Sequence, residues 1–418
     1  MNKNTYNIVL RMENNEVQYV NYSLSLDDYN ERKIKTKFYT KDGIEYCILN
    51  YDTTVLCFDD IETGNYRSVI LSSPEKQILC FSPPKSMEID AFVEKYPEMN
   101  DSIIANEIIE GTMINLFFDE RIQKWEIATK GAIGANYFYY RNDYNEGSCA
   151  PPKTFYRMFL DALKLQENEE LNDSVILQNL PKCYSYSFVL QHPENHIVLN
   201  IDNPKLYLVA LYDITDSTSI KWIPPCYYEG WDIFSNISGI IDFPKTFHES
   251  NYDDIEVKHC SIHTQCDNVG IMFTNIETGE RFSMKNPTYE KMKTLRGNNP
   301  NLQYQYLCLL RAKQIKDFLN YFPQYKRLFR KFYNDYSGFI TNVHSSYLTY
   351  YVQKQEVQIS KKFFPHIYRI HHDLYLPSLQ SDTKFIIRRK VVQEFFEKME
   401  PRELLYHLNY DNRELNKK

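Results

Sequence analysis

Residues 106–135, NEIIEGTMINLFFDERIQKWEIATKGAIGA, are the stretch that decides the fold. Residues 112–118 (TMINLFF) and 125–129 (WEIAT) are rich in the β-branched and aromatic side chains that favour strands. The DERIQK segment between them is polar except for one isoleucine, which is typical of a hairpin connection. A Glu-Gly pair at residues 110–111 precedes the first strand, and Thr-Lys-Gly at 129–131 follows the second. The sequence therefore predicts a β-hairpin with a charged residue at each end.

Strand patterns continue on both sides of this hairpin. Residues 5–60 alternate apolar and polar side chains, and an Asp-Gly pair at residues 42–43 is a turn signal between two of the runs. The other predicted elements are helices over 87–96 and 153–166, strands on both sides of the His-Pro-Glu-Asn turn at 192–195, and a hairpin over 267–287.

The pattern changes after about residue 287, where apolar side chains recur at helical spacing in several segments separated by proline or polar links. The GNNPN segment at residues 297–301 is the best candidate for a domain boundary. We therefore predict an α+β domain over residues 1–295, with antiparallel sheets and flanking helices, and an all-helical domain over 296–418.

Composition limits the class of protein. The chain has 418 residues, of which 43% are hydrophobic and 15% aromatic, so it can form real cores and disorder is excluded. No run of 18 apolar residues predicts a membrane span, and the 9 cysteines include no Cys-x-x-Cys pair. We expect a soluble cytoplasmic protein with reduced thiols and no membrane partner.

Charge is divided unevenly along the chain. Residues 291–418 contain 23 Lys and Arg against 11 Asp and Glu, whereas residues 1–290 contain 25 basic and 44 acidic residues. A basic domain attracts phosphate backbones and an acidic one repels them, so the C-terminal domain is the candidate for a nucleic-acid partner.

The hairpin and its flanks resemble the nucleotide-binding element of the covalent nucleotidyltransferases, which comprise RNA ligases, DNA ligases and capping enzymes. In that superfamily a Lys-x-Asp-Gly element supplies an amine that attacks the α-phosphate of ATP or GTP. The order of the motifs resembles the tRNA-repairing RNA ligases of T-even phages. It resembles even more the ligase-like proteins of large DNA viruses, through EGTMINLF at 110–117, SFVLQHPENHIV at 187–198 and LRGNNPNLQYQYL at 295–307. The resemblance implies a ligase-type nucleotidyltransferase fold for residues 1–295.

The resemblance also implies a nucleotide site, with ATP as the cofactor. Arg67 and Lys85 match phosphate-binding cations that precede the hairpin, and Lys130 matches the basic residue that closes it. Lys285 matches one lysine of the last motif, and Glu110 keeps the acid of the Lys-x-Asp-Gly element.

This sequence lacks the residues that carry out the covalent chemistry of that family. Ile108 stands where the nucleophilic lysine belongs, and an alkyl side chain cannot attack phosphorus. Val189 and Val269 replace carboxylates of the catalytic and metal-binding motifs, and Ser283 replaces the first lysine of the last motif. Without those carboxylates we expect no tightly bound Mg²⁺.

Three functions follow from these matches and losses. The leading hypothesis is a degenerate RNA-ligase-like viral protein that binds RNA, with tRNA as one candidate, or a nucleotide, without forming lysyl-AMP. The second is an active ATP-dependent RNA ligase whose nucleophile has moved to Lys130 or Lys85. The third is a structural or virion-associated protein that uses the fold as a scaffold.

The helical domain contains two basic clusters. The nucleic-acid-binding candidates are Lys326, Arg327, Arg330, Lys331, Arg388, Arg389 and Lys390. The first four alternate with Tyr325, Phe329, Phe332 and Tyr333, and exposed aromatic rings beside cations suit RNA or single strands. Two other interpretations remain: these rings are core and the charges a solvated face, or the basic domain docks on the acidic one.

Two histidine patterns were also considered. His259, Cys260, His263 and Cys266 are metal-ligand types, but their spacing is cramped for four-coordinate zinc, and strand or loop residues are the preferred interpretation. His366, His371 and His372 lack an acid partner pattern, so we interpret them as a partly exposed helix face.

Overall fold

The structure is a computed structural model that describes residues 19–24, 34–54, 61–138, 152–214, 219–297, 299, 301–380 and 385–415. The chain divides into two compact units. The sheet unit comprises Met1–Asn142 and Gly147–Lys293, and the helical unit comprises Asp143–Glu146 and Thr294–Lys418. The alternating pattern at residues 5–18 lies outside the described residues.

The strands belong to the sheet unit and are numbered here in chain order. They are β1 (Val20–Tyr22), β2 (Lys35–Lys41), β3 (Ile44–Asn50), β4 (Val69–Ser72), β5 (Ile78–Cys80), β6 (Ile103–Glu107), β7 (Thr112–Asp119), β8 (Lys124–Thr129), β9 (Ala132–Ile133), β10 (Tyr184–Gln191), β11 (Lys205–Asp213), β12 (Ile220–Ile223), β13 (Ile241–Asp242), β14 (Thr246–Phe247), β15 (Gly270–Asn275) and β16 (Arg281–Lys285).

These strands form three sheets. The largest has the order β1-β12-β11-β10-β7-β8-β9, and β13 pairs with β11 in parallel. The other two have the orders β14-β6-β15-β16 and β2-β3-β4-β5, and all remaining pairs are antiparallel. The predicted α+β class with antiparallel sheets is confirmed.

The opening hairpin is β7 and β8, which lie between β10 and β9 in the largest sheet. Both strands extend one residue further into the DERIQK segment than predicted, because Asp119 pairs with Lys124 across the ladder. The Asp119 carboxylate is buried and accepts hydrogen bonds from the Arg121 guanidinium and, at 2.9 Å, from the Tyr46 hydroxyl. A buried carboxylate that is satisfied in this way holds the turn closed.

Short helices cover the sheets. Those of the sheet unit are Ile61–Gly64, Ile89–Lys95, Phe155–Ala162, Val175–Asn179, Pro225–Tyr228, Asp232–Ser235 and Tyr252–His259, and Pro287–Arg296 begins in it. Helix Phe155–Ala162 starts at Thr154, whose hydroxyl accepts from the Arg157 amide at 3.2 Å. Its apolar face packs on β7, β8, β10 and β11, as the periodicity predicts.

The strand predicted after the His-Pro-Glu-Asn turn is wrong. Residues 196–201 form no strand, although their apolar side chains suit one. The amides of Ile197, Val198 and Leu199 instead donate to the carboxylate of Glu110. Three consecutive amides that point at one anion are not available to a strand ladder.

The helical unit contains no strand among its described residues, which confirms the predicted helical C-terminal region. After Pro287–Arg296, its helices are Leu302–Ala312, Ile315–Tyr321, Lys326–Tyr347, Phe364–Arg369, Leu376–Ser378, Arg389–Glu397, Pro401–Leu408 and Tyr410–Leu415. Two π-helical segments, Leu348–Val352 and Ile370–Tyr375, continue the helices that precede them. None of the helices in the described ranges is long and apolar enough to cross a membrane.

His366 lies in the core of this unit, so its assignment to an exposed helix face is wrong. The residue is 1% exposed, and its ring packs against Phe339, Phe396 and, with 4.3 Å between ring centroids, His407. Neither ring nitrogen has a hydrogen-bond partner in the described part of the chain. Burial first, then the neighbouring His407 and Arg369, lower the pKa of His366 to about 4.

Acidification is therefore expected to destabilise the helical unit. The folded pKa of His366 lies below its unfolded value, so the unfolded state takes up the proton first. Stability is complete above about pH 6.5 and is lost as the pH falls towards 4, by up to about 3 kcal/mol from His366 alone.

The measurement is urea unfolding followed by far-ultraviolet circular dichroism across this pH range, comparing wild type with His366→Leu and His372→Gln. The leucine variant should lose most of this pH dependence, although His407, whose pKa is also lowered by burial, retains a part. The exposed His372 is the control. An unchanged pH profile in His366→Leu would show that another group is responsible.

Candidate functional site

The largest sheet and the four-stranded sheet that contains β6, β15 and β16 enclose a cavity of about 520 Å³ within the sheet unit. Strand β6, the start of β7, β10–β12 and β16 each contribute side chains to its wall. The wall combines cations and aromatic rings. It includes Tyr22, Arg67, Ile108, Lys130, Tyr137, Val189, Tyr212, Trp222, Arg281 and Lys285.

Two glycines allow these strands to approach each other closely. A Cβ on Gly111 would collide with the Leu190 carbonyl oxygen and lie 2.7 Å from Cγ1 of Val189. Gly270 has φ +142°, and a Cβ there would collide with the Met284 carbonyl oxygen. The Ile108 amide donates to the Gly270 carbonyl oxygen at 2.9 Å. These contacts bring the segments around Ile108, Val189 and Val269 together at one end of the cavity.

No carboxylate occupies those positions. Ile108 and Val189 line the cavity, while Val269 is buried beside Gly270. Ser283 is half-buried and lies on β16, which pairs with β15. Positions 108, 189 and 269 therefore offer no carboxylate ligand to a divalent metal.

Three of the four sequence-predicted cations line this cavity: Arg67, Lys130 and Lys285. The pKa of Lys130 is lowered, first by desolvation and then by the charge of Arg67. Desolvation also lowers the pKa of Lys285, even though much of that side chain is exposed. Burial is therefore the first cause of both lowered pKa values, and the neighbouring Arg67 adds to it at Lys130.

Arg281 is a fourth cavity cation, which the sequence interpretation missed. Its guanidinium donates to the Pro84 carbonyl oxygen, with the Nε contact at 2.9 Å, and Arg67 Nη1 donates to the Pro83 carbonyl oxygen at 3.5 Å. Desolvation first, and Arg67 second, lower the pKa of Arg281 to about 10. The sequence did contain a signal for Arg281. It lies four residues before Lys285 on β16, and residues four apart in a strand lie on the same face.

None of these four cations forms an ion pair with a carboxylate of the described residues. Glu107 and Glu229 line the same cavity, but neither lies within ion-pair distance of a cation there. Burial raises the pKa of Glu229 and so favours its uncharged form. The balance of charge at the cation end therefore favours an anion as the ligand.

Lys85 and Glu110, the other two sequence-predicted nucleotide residues, do not line the cavity. The amide of Lys85 donates to the Gly64 carbonyl oxygen at 3.0 Å, and desolvation lowers the pKa of its ammonium. Glu110 is buried, and its carboxylate accepts from three backbone amides and, at 2.8 Å, from the Tyr289 hydroxyl. With these donors around it, Glu110 has the contacts of a structural residue.

The cysteine–histidine cluster has no metal-binding geometry. No group of three or more His, Cys, Asp or Glu side chains in the described ranges can hold a metal ion. His259 Nε2 lies 3.1 Å from the Glu249 carboxylate, and the Cys260 thiol is buried 3.5 Å from the Met284 carbonyl oxygen.

The first two turns of helix Lys326–Tyr347 in the helical unit present the predicted basic cluster to solvent. Its members Lys326, Arg327, Arg330 and Lys331 are all exposed. Of the interpretations that the sequence left open, the one in which these rings are core applies to Phe329 and Phe332, because both are buried against Tyr306. Tyr333 alone of that set is mainly exposed, at 55%. The helix therefore has a basic outer face and an aromatic inner face.

The second basic cluster begins helix Arg389–Glu397. Arg388, Arg389 and Lys390 are exposed, but Arg389 donates hydrogen bonds to the hydroxyls of Ser337 at 2.8 Å and Thr341 at 3.2 Å. Lys390 lies 3.8 Å from the Glu394 carboxylate. Arg389 thus connects two helices of the unit.

Comparison with known proteins found ligases among solved structures. A Naegleria gruberi RNA ligase variant with ATP and Mn matches 66% of this chain and 84% of its own, at 9% identity and a TM-score of 0.36. A putative ATP-dependent DNA ligase from Aquifex aeolicus covers 85% of this chain and 79% of its own length, at 10% identity and a TM-score of 0.38. An archaeal ATP-dependent RNA ligase covers 90% of this chain and 84% of its own length, at 10% identity and a TM-score of 0.40. No protein-family model and no curated protein sequence matches the chain. These similar structures are RNA and DNA ligases, all at low sequence identity.

Proposed function

We propose that this protein binds ATP or another nucleotide in the cation-lined cavity, and binds RNA, without forming a lysyl-AMP intermediate. The supporting observation is that Arg67, Lys130, Arg281 and Lys285 line one cavity without a carboxylate partner in the described residues. Cations gathered in this way repel each other, and the phosphates of a nucleotide would offset that repulsion.

The cavity has cations that can hold phosphates but lacks the group that would attack one. Formation of lysyl-AMP requires an amine lone pair to displace pyrophosphate from the α-phosphorus, and the Ile108 side chain has no lone pair. Arg67 and Arg281 are oriented by the carbonyl oxygens of Pro83 and Pro84, on a segment that two prolines make rigid. Their role in the proposal is to bind and orient phosphates.

RNA binding is proposed for the exposed basic face of helix Lys326–Tyr347. Lys326 and Arg330 lie one turn apart on that face, together with Arg327 and Lys331. Because residues 291–418 have a large excess of basic over acidic side chains, the field there attracts a phosphate backbone.

The test is a calorimetric titration of the full chain with ATP, in Mg²⁺ and in EDTA, followed by intact-mass spectrometry. We expect binding in both buffers, with Kd values that differ by less than about threefold, since no protein carboxylate holds the metal. Neither wild type nor Ile108→Lys should gain AMP, because Val189 and Val269 still lack the carboxylates. Absence of ATP binding would contradict the proposed nucleotide site and favour a structural protein that uses the fold as a scaffold.

A second candidate is an active ligase that uses Lys130 as its nucleophile. Lys130 lines the cavity, and its lowered pKa increases the fraction of free amine. This candidate predicts an AMP adduct on the wild-type protein, with the modified peptide containing Lys130. Detection of that adduct would overturn the proposal that the protein does not adenylylate itself.

A further inference from the structure

The two π-helical segments of the helical unit bring an aromatic cluster to its surface. Leu348–Val352 and Ile370–Tyr375 are wider than α-helical turns, and such turns are frequent at functional sites. They meet through Tyr351 and His371, whose rings are stacked with 3.7 Å between centroids and an interplanar angle of 11°. These two segments and helix Phe364–Arg369 form what is called here the aromatic surface.

The centre of the aromatic surface is a stack of three rings. The ring of Tyr375 continues the stack on His371 at 5.1 Å and 25°, four residues along the same segment. The buried Tyr347 supports the stack from below, with its hydroxyl 3.2 Å from His371 Nδ1. A preorganised ring stack loses little conformational entropy when another ring is added to it.

Three rings at the edge of this stack are accessible to solvent. Tyr350, Phe364 and Tyr368 are 39%, 40% and 48% exposed. Tyr350 and Phe364 meet edge to face, with 5.7 Å between centroids. Exposed aromatic rings grouped in this way are unusual on a surface without a ligand.

Two lysines lie close to these rings along the chain. Lys354 and Lys361 are exposed, and neither forms an ion pair with any residue that the structure describes. Arg369, by contrast, lies 3.2 Å from the Glu403 carboxylate. The acidic residues nearby in sequence are Glu356 and Asp373, and the Asp373 carboxylate lies 3.9 Å from Arg369, so Lys354 and Lys361 are the cations available to a phosphate.

We infer that the aromatic surface binds single-stranded RNA, with unpaired bases stacked on Tyr350, Phe364 and Tyr368 and the phosphates near Lys354 and Lys361. This inference rests on the RNA binding proposed above and adds a second, chemically different surface to it. Faces of paired bases are covered by their neighbours in a duplex, so this surface selects single strands.

The experiment is a fluorescence-anisotropy titration of the full chain with labelled oligouridine and with an RNA duplex, over a series of salt concentrations. We expect the Tyr350→Leu/Tyr368→Leu variant to bind oligouridine about a hundredfold more weakly, at about tenfold for each ring. Its salt slope should be unchanged, because rings release no counterions. Duplex binding should not change.

Matched variants separate stacking from loss of structure. Tyr350→Phe/Tyr368→Phe retains both rings and should bind as wild type, while Tyr321→Leu removes an exposed ring elsewhere in the same unit and should have no effect. Reversing the charges of Lys326, Arg327, Arg330 and Lys331 should instead reduce the salt slope for both RNAs. Circular dichroism checks that each variant is folded.

The two proposals fail in different ways. If wild type binds neither RNA at low salt, the proposed RNA binding fails, and this inference fails with it. If wild type binds oligouridine and the leucine variant binds it equally well, only the aromatic surface is excluded. Equal losses for oligouridine and duplex would also overturn the inference, since stacking on unpaired bases would not be the interaction lost.

Discussion

Replacement of Glu110 by alanine is expected to lower the free energy of unfolding of the sheet unit by about 4 kcal/mol or more. The variant removes the acceptor of the buried Tyr289 hydroxyl and of the half-buried amides of residues 197–199. Each buried donor that loses its partner costs about 1–3 kcal/mol, and water entering the space recovers part of that cost.

Tyr289→Phe is the matched control, because it removes one of these donors and leaves the carboxylate with three. We expect a loss of about 1 kcal/mol. Intrinsic tryptophan fluorescence during urea unfolding is the measurement. All 3 tryptophans, at positions 125, 222 and 231, belong to the sheet unit, so the signal reports that unit alone. A loss below 1 kcal/mol for Glu110→Ala would mean that the loop after the His-Pro-Glu-Asn turn does not depend on this carboxylate.

Arg281→Met is expected to weaken ATP binding by about a hundredfold without destabilising the sheet unit. A charge-assisted hydrogen bond to phosphate is worth about 1.5–3 kcal/mol, and Met cannot form it. The same substitution removes a desolvated cation that has no carboxylate partner and lies beside Arg67. Replacing an uncompensated charge by an apolar side chain of similar length is neutral or stabilising.

The prediction is specific because Arg281→Met should weaken ATP binding while leaving the stability of the sheet unit unchanged or increased. Calorimetry with ATP measures the affinity, and tryptophan fluorescence in urea measures stability. Lys124→Met is the control, since it removes one exposed positive charge from the hairpin outside the cavity wall and should change neither quantity. If Arg281→Met destabilises the unit by about 2 kcal/mol and leaves ATP affinity unchanged, Arg281 serves to hold the Pro84 carbonyl and not a phosphate.

The hairpin and the helical region could be predicted from the sequence because their signals are local. The β-branched and aromatic side chains of 112–118 and 125–129 predict the two strands, and the polar segment between them predicts the turn. The absence of a lysine at position 108 is likewise visible in the sequence, once the Glu-Gly pair defines the register. In the structure the amide of Ile108 donates to the Gly270 carbonyl oxygen.

Side-chain roles were less predictable because they depend on partners far away along the chain. The acceptor role of Glu110 depends on amides 87 to 89 residues later, and those amides also account for the missing strand at 196–201. The same dependence on partners explains why Arg281 joins the cavity cations and Lys85 does not.

Burial in the helical unit likewise separates what local sequence predicts from what distant contacts decide. The 3.6-residue period of Lys326–Tyr347 predicts a helix and two faces, and the sequence by itself determined both. Which face was covered depended on Tyr306 packing against Phe329 and Phe332, and on Phe339 and Phe396 enclosing His366. The sequence thus determined the central hairpin, most of the other strands and helices, and the presence of an isoleucine at position 108, whereas only the tertiary structure decided which charges and rings remain accessible. The physical reason is that secondary structure follows from local periodicity, while burial is set by contacts between residues distant in the chain.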